Sequence, residues 1–324
     1  MRVPIRIIRN RMINVEHLTK KYPGGVTAVS DVSFSVADGE VVGFLGPNGA
    51  GKTTTMRILS GYLSSTGGTV EVDGLDVSRN GLEVRSRIGY LPETCPLYTD
   101  MRVRDYLRYR AELKGVARRH RKSAIDRVLE ECGLEGVRSK LIDHLSKGYR
   151  QRVGIADAMI HQPRLLILDE PTIGLDPNQI VEIRKLVKRL SRTHTVLISS
   201  HILSEIEATC DRVIVLKKGH ILETASLSEL EQRWFPGCDV RIEAKGDIEQ
   251  VRSLLLNLDH VETLRINPNG EWLDIDMKFS GEPDPRESVY TCCKESNIPI
   301  RELHRVRHSL EEAFVNMTSG GGGV

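Results

Sequence analysis

The sequence predicts an α/β nucleotide-binding core, interrupted by a helical subdomain and followed by a small α+β domain. Three observations carry that prediction. Strand-like and helical segments alternate from Ile13 to about Glu223, as layered α/β proteins require. Two of the strand-like runs, RLLILDE (164–170) and HTVLISSH (194–201), are almost continuously apolar, the pattern of central parallel strands covered on both faces. Beyond residue 223 the order becomes strand, helix, strand, strand, helix, strand, the split β-α-β arrangement of ferredoxin-like domains.

Taken in order, residues 1–11 (MRVPIRIIRNR) carry Arg2, Arg6, Arg9 and Arg11 without the continuous apolar core of a secretory signal. They read as an unstructured extension or as a start displaced from Met12; a basic arm touching anionic lipid is the other reading. INVEHLTKKY (13–22) and EVVGFLG (40–46) are strand-like. The second leads into GPNGAGKTTT (46–55), which contains G-x-x-x-x-G-K-[ST], and then into TTTMRILSGYL (53–63), with helical spacing at Met56, Leu59 and Leu63. Strand, loop and helix are the context the motif needs, and the bare pattern arises by accident in roughly one chain of this length in fifty. Gly46, Gly49 and Gly51 let the loop curl so that its amides face phosphate oxygens at a helix N-terminus. Lys52 then reaches the β- and γ-phosphates and Thr53 ligates Mg²⁺.

Between Cys95 and Leu145 long charged helical stretches (102–115 and 121–134) mark an inserted subdomain, placed at about 95–150 inside a nucleotide-binding domain of residues 12–224. ASLSELEQRW (225–234) reads as a connecting helix within a linker of 225–237, with a break at Pro236 and Gly237. The C-terminal domain (238–318) reads strand 238–244, helix 247–258, strand 261–266, turn NPNG (267–270), strand 271–279, helix 287–296, strand 299–306 and helix 309–317. A disordered tail (319–324) is expected at the end.

Composition narrows the function. With 46 basic and 44 acidic side chains the formal net charge is +2, and aromatics are 5%, so neither bulk nucleic-acid binding nor base stacking is supported. The six cysteines (95, 132, 210, 238, 292, 293) form no C-x-x-C and read as reduced thiols, with Cys292 and Cys293 as packing residues on a helix. No apolar run approaches the roughly 20 residues that span a bilayer. His304 and His308 stand at helical spacing but lack a third ligand, so surface or packing roles are expected.

The apolar run 165–168 ends in Asp169 and Glu170, where one carboxylate can hold Mg²⁺ opposite Thr53 and the next can take a proton from an attacking water. Together with LSKGYRQR (145–152), PTIGLDPNQ (171–179) and SSHILSE (199–205), these motifs closely resemble the ATP-binding subunits of ABC transporters over residues 13 to about 224. That resemblance implies a P-loop NTPase core and a set of roles. Tyr22, in KKYPGG, stacks on adenine. Gly46, Pro47, Asn48, Gly49, Ala50, Gly51, Lys52, Thr53 and Thr54 cradle the phosphates of ATP. Asp169 supports Mg²⁺, Glu170 is the general base, and His201 is the γ-phosphate switch. Ser146 and Gly148 cap the γ-phosphate bound to a partner subunit, and Asp176 couples the two sites. Two copies, or this chain and a paralogous partner, therefore close around two ATP molecules.

Two positions depart from the family pattern. Glu93, in IGYLPETCPLY (88–98), stands where a metal-sensing glutamine is usual and adds negative charge near the metal. LSKGY replaces LSGGQ, with Lys147 facing either solvent or phosphate. These segments resemble the ATPases of gliding-motility-associated and multidrug or antibiotic (ABC-2-type) exporters, which implies a separate integral-membrane permease, a peripheral place on the cytoplasmic face of the membrane, and an accessory C-terminal domain. The surface around Glu93 to Leu113, with Tyr98, Met101 and Tyr106, is expected to receive the permease, with subdomain core as the alternative for each side chain. A soluble ATPase acting on ribosomes or DNA is the competing class, disfavoured by the single phosphate loop and near-neutral charge.

Overall fold

The computed structural model describes residues 11–234, 237–281 and 284–306, apart from the side chains of residues 231 and 232. They fall into two compact units, divided between Ser226 and Leu227. The expected N-terminal extension, apart from Arg11, the break at Pro236, the helix at 309–317, the glycine-rich tail and His308 lie outside the described residues; Arg11 already opens the first strand.

In the first unit, alternating side chains make a half-buried antiparallel sheet. β1 (Arg11–Lys21) pairs with β2 (Thr27–Ala37) and with β4 (Gly67–Val72), and β5 (Leu75–Asp76) completes it in the order β2-β1-β4-β5. A second sheet contains β3 (Val41–Leu45), β6 (Ile88–Leu91), β7 (Leu165–Leu168), β8 (Thr195–Ser200), β9 (Arg212–Lys217) and β10 (His220–Ser226). Its order is β10-β9-β3-β8-β7-β6, parallel except for the β9–β10 hairpin. Every residue of β3, β7 and β8 is buried, which is why their sequences are apolar without alternation.

α1 (Lys52–Leu59) shares one apolar core with both sheets: its Met56, Ile58 and Leu59 cluster with Val15, Val29 and Phe34 on one side and Phe44, Leu165 and Leu197 on the other. The helix stops before Leu63. Ser60 turns its hydroxyl back onto Met56 O, Gly61 adopts a left-handed φ, and the amides of Tyr62 and Leu63 both reach Arg57 O. Leu63 thus packs on the core from a turn, not from a further helical turn.

α2 (Gly81–Arg87) precedes β6. After it come α3 (Val103–Leu113), α4 (Arg118–Glu131) and α5 (Lys147–Met159). α5 packs on both α3 and α4 as well as on β6, so the helical subdomain extends past the expected limit of 150 and ends in the helix that attaches it to the sheet. Its polar centre is Asp157, held by Arg110 (2.9 Å), Lys114 (3.1 Å) and the Tyr106 hydroxyl (3.2 Å). Lys114 and Arg110 hold the Asp157 carboxyl below its ordinary pKa against the opposing effect of burial. Tyr106 is therefore subdomain core, 1% exposed, whereas Tyr98 is 49% exposed with its ring against Tyr106 and Tyr109. α6 (Pro177–Leu190) and α7 (Leu203–Glu207) complete the unit.

The second unit opens with α8 (Leu227–Trp234) and continues β11 (Cys238–Ala244), α9 (Ile248–Leu256), β12 (Val261–Asn269), β13 (Trp272–Phe279), α10 (Arg286–Glu295) and β14 (Ile300–Val306). The antiparallel order β12-β13-β11-β14 is the ferredoxin-like one. Its core joins Val240 and Ile242 to Ile275, Val251, Leu255 and Val289. The hairpin turns at Gly270 and Glu271, later than expected from NPNG, because β12 is an edge strand and accepts Pro268 opposite Leu273. His304 lies on β14, within the expected strand 299–306. Cys293 is buried and the Cys292 thiol points at Leu254 O, both as packing residues.

Candidate functional site

Parallel strands deliver the polar groups of the site to one edge. β3, β8 and β7 are adjacent, and their C-terminal ends lead into the phosphate loop, into His201, and into Asp169 and Glu170. This is the edge at which open α/β sheets bind ligands. The loop 46–51 passes from β3 into α1, whose first i→i−4 bond runs from Thr55 N–H to Gly51 O, so the amides of Gly51, Lys52, Thr53 and Thr54 precede the helical ladder. Gly51 has φ 104°, and a Cβ there would stand 2.5 Å from Ala28 O, so only glycine fits. Pro47, Asn48 and Gly49 are exposed at the rim, while Gly46, Ala50 and Lys52 are buried.

Lys52 crosses under the loop. Its ammonium donates to Gly46 O at 2.7 Å and lies 3.2 Å from Glu170 Oε1. Thr53 donates to Asp169 Oδ1 (3.2 Å), which also accepts from Ser199 Oγ (2.7 Å), and that same hydroxyl accepts from the Glu170 amide (2.8 Å). Glu170 takes a left-handed backbone (φ 48°), an unfavourable conformation of the kind stored at functional sites. Its Oε2 stands 2.8 Å from His201 Nδ1. The two carboxylates are thus held apart by different partners: Thr53 and Ser199 for Asp169, Lys52 and His201 for Glu170.

Asp169 is fully buried, and burial pushes its carboxyl above the ordinary range; the Ser199 and Thr53 hydrogen bonds oppose that rise, and the negative charges of Glu170 and Glu93 add to it. Its second oxygen, Oδ2, has no hydrogen-bond partner. A buried anionic oxygen without a donor, beside a threonine hydroxyl, fits a hard divalent cation such as Mg²⁺, which binds through one or two carboxylates together with phosphate oxygens. No cluster of three His, Cys, Asp or Glu suited to a metal occurs among the described residues, so such an ion would depend on the nucleotide for the rest of its shell. Glu93 is exposed in the turn after β6, within electrostatic reach of Asp169.

Other expected site residues stand apart from this cluster. Tyr22 is half-buried with its hydroxyl 3.4 Å from Thr54 Oγ1, which puts its ring beside the start of α1. Ser146 is the N-cap of α5, accepting from the Tyr149 amide, and Asp176 is the N-cap of α6, accepting from the Gln179 amide at 2.9 Å. A Cβ at Gly148 would lie 2.8 Å from the Gln179 side chain, so glycine lets the two helix starts meet. Lys147 is exposed and lies over Gly174.

Two supporting residues escape a reading of the sequence. Ser199 joins Asp169 to the Glu170 backbone. Glu205, 4% exposed, accepts from Thr172 (2.6 Å) and Ser200 (2.8 Å), tying the loop after Glu170 to the one before His201. The only sequence signal for either is polarity next to a run that is otherwise buried.

A model of the ABC transporter family matches residues 29–173. The bacitracin transport ATP-binding protein BcrA of Bacillus licheniformis is 35% identical over 312 residues, covering 96% of this chain and 98% of that protein. The linearmycin resistance ATP-binding protein LnrL of Bacillus subtilis is 30% identical over 95% of this chain and 98% of its own. Among solved structures, cbiO1 from Clostridium perfringens, part of an ABC transporter complex, superposes with a TM-score of 0.64 at 28% identity, covering 77% of this chain and 96% of that one. A dimeric ATP-binding cassette in a post-hydrolysis state bound to ADP and Pi superposes with a TM-score of 0.61 at 26% identity, covering 67% and 99%.

Proposed function

The chain belongs to the ATP-binding proteins of ABC transporters, and from that membership we propose a specific division of labour within its site. Gly46 to Thr54 hold the phosphates of ATP, Lys52 meets the β- and γ-phosphates, and Tyr22 stacks on the adenine. Thr53 and Asp169 hold Mg²⁺, with Glu93 near it; the ion would neutralise phosphate charge when bound. Glu170 takes the proton of the hydrolytic water, and His201 holds Glu170 and meets the γ-phosphate. Ser146 and Gly148 of one copy cap the nucleotide of the other, and Asp176 links the two sites.

The observation that carries this reading is the double restraint on Glu170. His201 Nδ1 is hydrogen-bonded to one of its oxygens, and the Lys52 ammonium lies in ion-pair range of the other, 3.2 Å away, without forming a hydrogen bond. Both are also cations or donors suited to a γ-phosphate, so a bound triphosphate competes for them and leaves the carboxylate to a water. Glu170→Gln tests this: nucleotide binding is retained while phosphate release falls at least about 10²-fold. Unchanged turnover would remove Glu170 from the role.

The dimer drives a separate permease, in the direction of export by analogy with the resistance and antibiotic-transport relatives. No helix among the described residues is long and apolar enough to cross a membrane, which is consistent with peripheral attachment through that partner. A groove of about 440 Å³ between the end of α1, α2 and α3 is its docking place, because Tyr62 (69% exposed), Leu82 (81%) and Leu113 (57%) present apolar surface around it. Tyr98 and Tyr109 extend the surface along α3. Co-purification with a polytopic membrane protein supports the assignment; recovery with ribosomes instead would overturn it.

A further inference from the structure

Leu113 to Ile125 contains Lys114, Arg118, Arg119, Arg121 and Lys122 and no carboxylate, in a chain of formal net charge +2. The cations gather at the start of α4, which has Ala117 as its N-cap, no side-chain cap and no acidic residue in its first turn. Positive charge at that end opposes the helix dipole and weakens the helix. Folding therefore does not explain the cluster. Lys114 is engaged by Asp157 and Arg121 by Glu112 (3.0 Å), whereas Arg118, Arg119 and Lys122 are exposed, with no carboxylate paired to them among the described residues.

The adjoining face of α4 borders a cavity of about 480 Å³ lined by Lys114, His120, Ser123, Arg127 and His161, with no acidic side chain on its wall; Arg118, Arg119 and Lys122 do not line it. Lys114, Gly115, Ser86 and His161 line both this cavity and the groove assigned to the permease. The basic turn is thus continuous with a surface that faces a membrane-embedded partner. Apolar Tyr109 and Leu113 border it, the pairing of cations with apolar side chains that suits a headgroup layer. A polynucleotide backbone would call for an extended basic track, and the near-neutral charge of the whole chain does not supply one.

We propose that the turn 114–122 is a membrane-contact element that binds the phosphate headgroups of anionic lipid next to the permease, an inference that rests on the groove reading for its orientation. Each Lys or Arg near an anionic surface contributes about a fivefold gain in binding.

Flotation of the full chain with vesicles tests it. At low salt the wild type floats with phosphatidylcholine vesicles containing phosphatidylglycerol and not with phosphatidylcholine alone, and added salt releases it. The triple variant Arg118→Gln, Arg119→Gln, Lys122→Gln loses at least about tenfold in vesicle affinity. Its Tm does not fall, since the substitutions relieve charge at the positive end of α4. Equal flotation of wild type and variant, or flotation with phosphatidylcholine alone, would overturn the proposal. So would a variant that loses affinity for a single-stranded RNA probe in an anisotropy titration while keeping its vesicles. The vesicles contain no permease, so the groove fails separately: Tyr62→Asp is expected to lose the permease and keep the vesicles.

Discussion

The phosphate-loop end and the Ser146 end of the first unit are built in opposite ways. Around Lys52, Asp169 and Glu170 the charges are buried and held by named partners from three strand ends. Around Ser146, Lys147 and Tyr149 the side chains are exposed, and the serine satisfies only its own helix. The buried cluster is built by its own chain, save for the open Asp169 Oδ2. An exposed helix start with glycine at its second residue is finished by something else, and a nucleotide on a second copy is what its chemistry suits. On the proposed reading, one copy carries two halves of two sites.

The largest effect should come from the buried end. Lys52→Ala leaves the Glu170 carboxylate buried with one partner fewer and removes a charge-assisted contact to phosphate, so ATP affinity should fall by about 10–10². Equilibrium binding of a fluorescent ATP analogue measures it, and an affinity within twofold of wild type would break the claim that this end alone holds the nucleotide. Ser146→Arg should do the reverse: the single-copy affinity stays within about twofold while steady-state turnover falls at least about tenfold, because only the shared site is blocked. Equal losses in binding and turnover would mean that the two ends are not separable.

A smaller effect refines the contrast at the helix starts. Gly148→Ala adds a Cβ that must displace the flexible Gln179 side chain, a cost that the better helix propensity of alanine offsets, so stability by denaturant unfolding should change by less than about 1 kcal/mol. One contribution to the pH dependence comes from His161, at the end of the helical subdomain, where burial lowers the imidazole pKa to about 4. Its folded pKa lies below the unfolded value, so the unfolded chain binds the proton more readily. The His161 contribution is then fully present above about pH 6.5 and is lost as pH drops from there towards 4, by about 1–3 kcal/mol. His161→Gln should flatten that part of the stability profile, read by urea midpoints across the range.

Much of the fold and site is legible in the sequence because burial on both faces leaves unbroken apolar runs, as in β7 and β8, and because ordered motifs identify the residues that leave the ends of such strands. The misreadings share a physical cause. Periodicity at Met56, Leu59 and Leu63 suggests one helix, yet a turn can deliver the third leucine to the same core. Tyr106 sits among arginines, where partner contact and subdomain core are both open readings; its partner Asp157, distant in sequence, decides for the core. Ser199 and Glu205 act through hydrogen bonds between strand ends, which no local pattern records.

The division between the two ends stands or falls on whether triphosphate joins two copies at the exposed Ser146 end. Light scattering reads this in one step, as the solution mass of Glu170→Gln with and without ATP and Mg²⁺. The expected masses are those of a monomer without nucleotide, a dimer with ATP, and a monomer again when Ser146→Arg is added. A mass unchanged by ATP in Glu170→Gln, with ATP binding verified in the same sample, would contradict it.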